Sequence, residues 1–143
     1  MSEALTPQQA QYELSYYTLA HRDPTFIHQN VVDAFAAQTA DANTKPIKIT
    51  FALIGLYLTV EKGFTGRQVQ LAHIQMGKTH KAWPSFDLPR DRGDITVFDV
   101  LKAEPGAERD AMIHSWCESV WKAYSASRDK IVRLAQTELG IQP

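Results

Sequence analysis

The sequence predicts an all-α fold: a single-domain bundle of five or six helices with one long irregular loop and a long C-terminal helix. Three observations lead there. Apolar residues recur at i, i+3, i+4 and i+7 through most of the chain, helix-start chemistry precedes several of those runs, and no stretch reads as a strand with a partner. A chain of 143 residues, 44% hydrophobic and 22% charged, has the size and composition to bury one substantial core.

The first helix starts at TPQQ, with Thr6 as N-cap, Pro7 at the first helical position and Gln9 as the reciprocal partner. Leu14, Tyr17, Thr18 and His21 then share one face. Asp23-Pro24 ends this helix and opens the second, with Asp23 as its N-cap. There His28, Val31, Val32 and Phe35 line up at helical spacing before the polar stretch TADANTK. Pro46 opens a third helix whose stripe is Ile47, Phe51, Ile54, Leu58 and Glu61, and Gly63 stops it. Its β-branched content leaves a strand as the alternative, but its length and stripe favour helix.

FTGRQV is the clearest local signal. Thr65 and Gln68 fit a capping box, and Phe64 and Val69 a hydrophobic staple. The helix that follows runs to about Lys81, with Val69, His73, Met76 and His80 on one face. KAWPSFDLPRDRGD, residues 81–94, contains two prolines and must be irregular, pinned to the bundle by Trp83 and Phe86. Thr96 caps a short helix over 96–104, Pro105-Gly106 breaks it, and the last helix runs from Ala107 to Leu139. Its core stripe is Ile113, Trp116, Cys117, Val120, Tyr124, Ile131 and Leu134, and Gly140 ends it.

Fifteen Lys and Arg stand against sixteen Asp and Glu, with no like-charge block. Nucleic acid and anionic membranes usually leave a basic patch, so neither is expected as a partner. The longest apolar stretch, residues 49–60, is about 18 Å of helix against a hydrocarbon core of about 30 Å, so it reads as a buried element. Cys117 is the single cysteine, which forbids an intramolecular disulfide. With MSEALTPQQAQ lacking a signal-peptide pattern, a cytoplasmic setting is expected.

YYTLAHRDPTFIHQ, KPIKITFALIGLYLTVEKGFTGRQVQLAH, RGDITVFDVL and IHSWCESVW together resemble a bacterial domain family of unknown function, over about Tyr16 to Tyr124. The resemblance implies a self-contained bacterial domain and carries over no site residue.

The candidate site comes from the residues themselves. His21, His28, Glu61 and His73, each on a different predicted helix, lie in register with apolar neighbours; His114 on the final helix is a further candidate. Imidazole and carboxylate groups commonly bind zinc and iron, and bundle cores hold such sites between facing helices. On one continuous helix His21 and His28 would be roughly 10 Å apart. The Asp23-Pro24 corner lets both turn toward one end of the bundle, where Glu61 also falls in an up-down order. His73 sits roughly 12 Å along its own helix, whereas a zinc ligand must come within about 2 Å of the metal. No HExxH or paired ExxH motif accompanies the set.

Three readings follow: a divalent metal (zinc or iron) as cofactor, a metal-free polar pocket for a small-molecule ligand, or packed histidines with hydrogen-bond partners. If the chain is an enzyme, the metal reading implies assisted hydrolysis or redox chemistry, with His21, His28 and His73 as ligands and Glu61 as ligand or base. The rival is a non-enzymatic module in which the apolar stripe of the final helix supports a homodimer or takes another partner. Three lesser constellations have plainer explanations. His114 and Cys117 are helical neighbours, but Cys117 lies on the core stripe and reads as a packed small hydrophobe. Thr65 to Gln68 offers a helix start to an anion, yet capping already uses those donors. Tyr16, Tyr17, Trp83, Phe86, Trp116 and Trp121 are aromatics that fill the core and anchor the long loop, with a pocket wall as the alternative.

Overall fold

The structure, a computed structural model, describes residues 4–20, 22–78 and 82–143. Among these residues seven α-helices follow in order: α1 (Pro7–Ala20), α2 (His28–Thr39), α3 (Pro46–Lys62), α4 (Gly66–Gly77), α5 (Val97–Lys102), α6 (Ala107–Ala123) and α7 (Arg128–Leu139). A single 3-10 turn, Ser125–Ser127, joins the last two. No strand occurs among the described residues.

Local chemistry sets the starts of α1, α4 and α5. Thr6 accepts the Gln9 N–H at 3.1 Å and donates its own N–H to the Gln9 side chain at 2.9 Å. Thr65 with Gln68, and Thr96 with Asp99, form the same reciprocal box. Gly63 and Gly140 close α3 and α7 in the left-handed conformation, which glycine adopts without a Cβ penalty. Phe64 and Val69 flank the start of α4 and both join the core.

α2 and α3 form the centre. α2 packs against α1, α3, α4 and α6, and α3 against α2, α4, α6 and α7. Nearly every residue of α3 from Ile49 to Leu58 is therefore buried, not the single stripe expected from its periodicity. A helix that is apolar all round belongs inside, which also settles it as a helix and not a strand. α2 departs further from expectation. Val32 is exposed, whereas Asn30, Asp33, Ala34, Ala36 and Ala37 are buried. Its small residues let α3 approach closely. A Cβ placed on Gly55 would lie 2.6 Å from the Asp33 Cγ and closer still to Oδ2.

Several boundaries differ from those the sequence predicts; α4 ends at Gly77, short of Lys81. α2 begins at His28, not at Pro24. The Asp23 carboxylate caps a tight turn instead, accepting the N–H groups of Thr25 (2.9 Å) and Ile27 (2.8 Å) and the Thr25 hydroxyl (2.6 Å). Phe26 then takes a left-handed φ of 55°, which no helix continues. The predicted final helix spans its full length but is interrupted at Tyr124–Ser127. α6 packs on α2, α3 and α5 while α7 packs on α3 and α4, and the tightened turn reconciles the two sets of neighbours. The buried Tyr124 holds this point, donating its hydroxyl to the Ala37 carbonyl at 2.6 Å.

The long irregular loop is fastened to the end of α2. Arg92 Nη1 donates to the carbonyls of Gln38 (3.1 Å) and Ala40 (2.7 Å), and its Nε to Pro89 (2.6 Å). A cation there also suits the negative end of the helix dipole. The Gln38 amide donates back to the carbonyls of Ile95 (2.7 Å) and Arg92 (3.3 Å) and accepts from the Trp116 indole at 2.9 Å. Trp83 and Phe86 pack on the core as expected, Trp83 edge-on against Phe51. The stripe of the final helices faces inward. Ile113, Trp116, Cys117, Val120, Tyr124 and Ile131 are buried, Leu134 is half-buried, and among the described residues no large apolar side chain is exposed on α6 or α7.

Candidate functional site

The corner HRDPTF organises one end of the bundle. The turn capped by Asp23 lays its backbone across the start of α4, where Thr25 accepts the Arg67 N–H at 2.8 Å. The approach is so close that a Cβ on Gly66 would meet the Phe26 carbonyl carbon at 2.8 Å and its oxygen nearer still. Gly66 is thus a packing requirement of the corner. Burial pushes the Asp23 carboxyl up, but the hydrogen bonds from Thr25, Ile27 and Phe26 outweigh it and hold its pKa below the ordinary value.

Across from the turn, the Tyr17 hydroxyl donates to Asp110 Oδ1 at 2.9 Å and accepts the Gly106 N–H at 2.8 Å. The Arg109 guanidinium covers the Tyr17 ring, 4.7 Å from its centroid. The phenol is pushed up by burial and by Asp110, against the Gly106 N–H and Arg109. Between these groups lies a pocket of about 250 Å³, lined by Tyr17, Thr18, Arg22, Asp23, Ile27, Gly106 and Asp110.

His28 lies just behind it. Thr18 Oγ1 sits 2.9 Å from His28 Nδ1 and 3.1 Å from the Ser15 carbonyl. A hydroxyl has one proton, and the carbonyl only accepts. Both bonds form together only if Nδ1 of His28 carries the hydrogen. Half-buried, His28 is held below the usual histidine pKa by desolvation.

His73 belongs to a second, interior polar seam. Its Nε2 is 2.7 Å from the Phe51 carbonyl, which places the proton on Nε2. Nδ1 then accepts, at 3.5 Å, from the Gln29 amide, which also donates to Asp33 Oδ1 at 3.0 Å. Burial lowers the His73 pKa, with the Phe51 bond opposing. Asp33 is fully buried, and burial raises its carboxyl well above the ordinary range despite the Gln29 bond. Its Oδ2 has no hydrogen-bond partner among the described residues.

This carboxyl makes stability depend on pH. In the unfolded chain an Asp ionises near pH 3.9. In the fold Asp33 stays neutral to higher pH, so its contribution is complete below about 3.9 and is lost as pH rises through the folded-state pKa. Asp33→Asn is expected to match the wild type near pH 4 and to exceed it by about 1–3 kcal/mol at pH 8. Urea unfolding at the two pH values checks this; parallel pH profiles for the two proteins would remove Asp33 as the cause.

The remaining sequence candidates lie elsewhere. Glu61 does not join His28 and His73. Its carboxylate pairs with Arg128 (2.6 and 2.8 Å) and accepts the Trp121 indole N–H at 2.7 Å. Arg128 is the largest influence holding its pKa below the usual value. His114 is exposed and borders a separate recess of about 270 Å³ with Thr25, Asn30, Thr59 and Thr65. His21 and His80 lie outside the described residues. Among the described residues, no three His, Cys, Asp or Glu side chains come together in a group able to hold a metal. Cys117 is buried, its Sγ 3.6 Å from the Asn30 carbonyl, and burial drives its thiol pKa far up, with Asp33 and Glu118 adding. Of the aromatic set, Trp116 and Trp121 are core residues and Tyr16 is largely exposed.

Reasoning from the sequence missed Asp33, Arg22 and Asp110. Asp33 carried a signal: it falls four residues after Gln29 and three after Asn30, a polar row on a helix otherwise rich in alanine. Asp110 carried none, because only the fold brings it to Tyr17.

A protein-family model matches residues 8–125, that of a family of unknown function (DUF5946). No curated protein and no solved structure matches the chain. No helix among the described residues is long and apolar enough to cross a membrane.

Proposed function

The chain belongs to this family of unknown function, and from its geometry we propose a helical module that binds a small polar ligand in the pocket beside the HRDPTF corner. One observation supports the reading above others. The Tyr17 hydroxyl is fixed at the pocket wall by the Gly106 N–H and Asp110, with Arg22 and Asp23 on the same lining. A few convergent polar groups around a concavity are what orient a ligand. The volume of about 250 Å³ equals that of about eight liquid waters, below the range for drug-sized ligands. The lining holds one guanidinium, two carboxylates and two hydroxyls. That mixture suits a compact ligand carrying both donors and acceptors, such as an amino acid or amino alcohol.

A metal held by His28, Glu61 and His73 is a weaker reading. Glu61 would have to leave Arg128 and Trp121, and His73 its bond to Phe51.

Saturation-transfer NMR with amino acids, amino alcohols and polyols, each at about 5 mM, tests the proposal in the millimolar range expected of a small site. At least one probe class should bind the wild type, and Arg22→Ala and Asp110→Asn should each weaken it at least about tenfold, or about 1.4 kcal/mol. Silence from every class, or binding indifferent to both substitutions, would reject the pocket.

A further inference from the structure

α1 departs from the pattern of a surface helix. One side carries Ala10, Leu14 and Thr18 into the core. The other carries Tyr12, Tyr16 and Leu19 at i, i+4 and i+7, which are 65%, 78% and 57% exposed, with Leu5 one heptad earlier. Glu13 is the single charged residue in the helix. Outward faces of surface helices are normally charged or polar, and a contiguous apolar patch marks an interaction site. Beside this stripe runs a groove of about 370 Å³ lined by Glu13, Tyr16, Tyr17, Leu101 and Arg109.

We propose that this face binds a second copy of the chain, with the two α1 helices packed antiparallel about a twofold axis between Tyr12 and Tyr16. A twofold contact needs one patch that contains both the projection and the recess it fills. α1 has both: the axis carries Tyr12 of one copy to the groove flanking Tyr16 of the other. Charge fits a self-pairing as well. The stripe brings no block of like charge against itself, and the groove offers Arg109 opposite Glu13. Area sets the strength. An aromatic side chain contributes on the order of 200 Å². The exposed parts of the four stripe residues then amount to roughly 450 Å² per copy, and with the polar side chains between them about 1,000 Å² over both. That is the lower bound for a specific interface and implies a weak, concentration-dependent dimer. The groove shares Tyr17 with the ligand pocket, but Tyr12 and Tyr16 line no part of that pocket, so substitutions there test the dimer separately from ligand binding.

Sedimentation velocity of the full chain from about 5 to about 500 µM covers the range such an area supports. The wild type should pass from monomer to dimer. Tyr12→Glu/Tyr16→Glu should weaken the dimer more than tenfold with its far-UV circular dichroism intact. Leu71→Glu/Ile74→Glu, at the exposed apolar positions of α4, should leave it unchanged. Should the α1 double variant lose helicity, Tyr16→Ser supplies the same comparison. A wild type still monomeric at the highest concentration overturns the proposal, as does a dimer indifferent to α1 or abolished from α4.

Discussion

Gly55→Ala is expected to destabilise the protein by about 3 kcal/mol or more, at the upper end of what overpacking does. The added methyl would lie 2.6 Å from the Asp33 Cγ and nearer to Oδ2, at a point where α2 and α3 are both buried. Asp33 is too short to swing aside and is held by Gln29. The clash therefore has to move a helix or the carboxyl, and interiors packed to crystal density resist both. Asp33→Ala in the same chain should recover most of the loss, because the new methyl then occupies space the carboxyl vacates. Equilibrium urea unfolding of the two single variants and the double variant gives the coupling directly, expected at about 2 kcal/mol or more in favour of the pair. A penalty below about 1 kcal/mol for Gly55→Ala would show that the helices are less closely packed than described, and one that persists in the double variant would show that Asp33 is not what the methyl meets.

The second large effect concerns Arg92. Arg92→Ala should cost about 3 kcal/mol, since it removes charge-assisted bonds to the Gln38, Ala40 and Pro89 carbonyls and leaves the end of α2 uncapped. Arg92→Lys should recover little, because one ammonium cannot present donors along the guanidinium's fixed directions. The loop is the part that opens. Cleavage by chymotrypsin at Phe86 should accelerate in both variants before global unfolding, and unchanged cleavage would show that Trp83 and Phe86 alone suffice to hold the loop. Gln38 shares the clamp through Ile95 and Trp116, so its removal should not add fully to that of Arg92.

These two sites also show where sequence reasoning reaches. Thr6, Thr65 and Thr96 are legible as caps because the bonds they make span three residues or fewer. Gly63 and Gly140 are legible as helix ends, and the prolines of residues 81–94 as a bar to helix, for the same local reason. The start of α2 is not, although Asp23-Pro24 resembles a helix start. Phe26 is forced out of helix by packing on Gly66, forty residues further along. The inward turn of His28 and His73 follows from periodicity; their partners Thr18, Gln29 and Phe51 do not. Glu61 is placed correctly at the end of its helix, yet its partner is Arg128, on an element that the final turn redirects.

By itself the sequence determined an all-helical fold, the capping chemistry of several helix ends, the irregular loop with its aromatic anchors, and the inward stripe of the C-terminal helical stretch. Those features depend on backbone propensity, capping and periodicity, whose interactions close within a turn or two. Only the tertiary structure decided that α3 is buried on every side, that Asp33 lies against Gly55, that Arg92 clamps α2, and that Tyr17 and Asp110 share a pocket wall. Each of those joins residues more than twenty positions apart. Such contacts arise from which helix faces meet, and helical periodicity states that a face is apolar without naming the helix that will cover it.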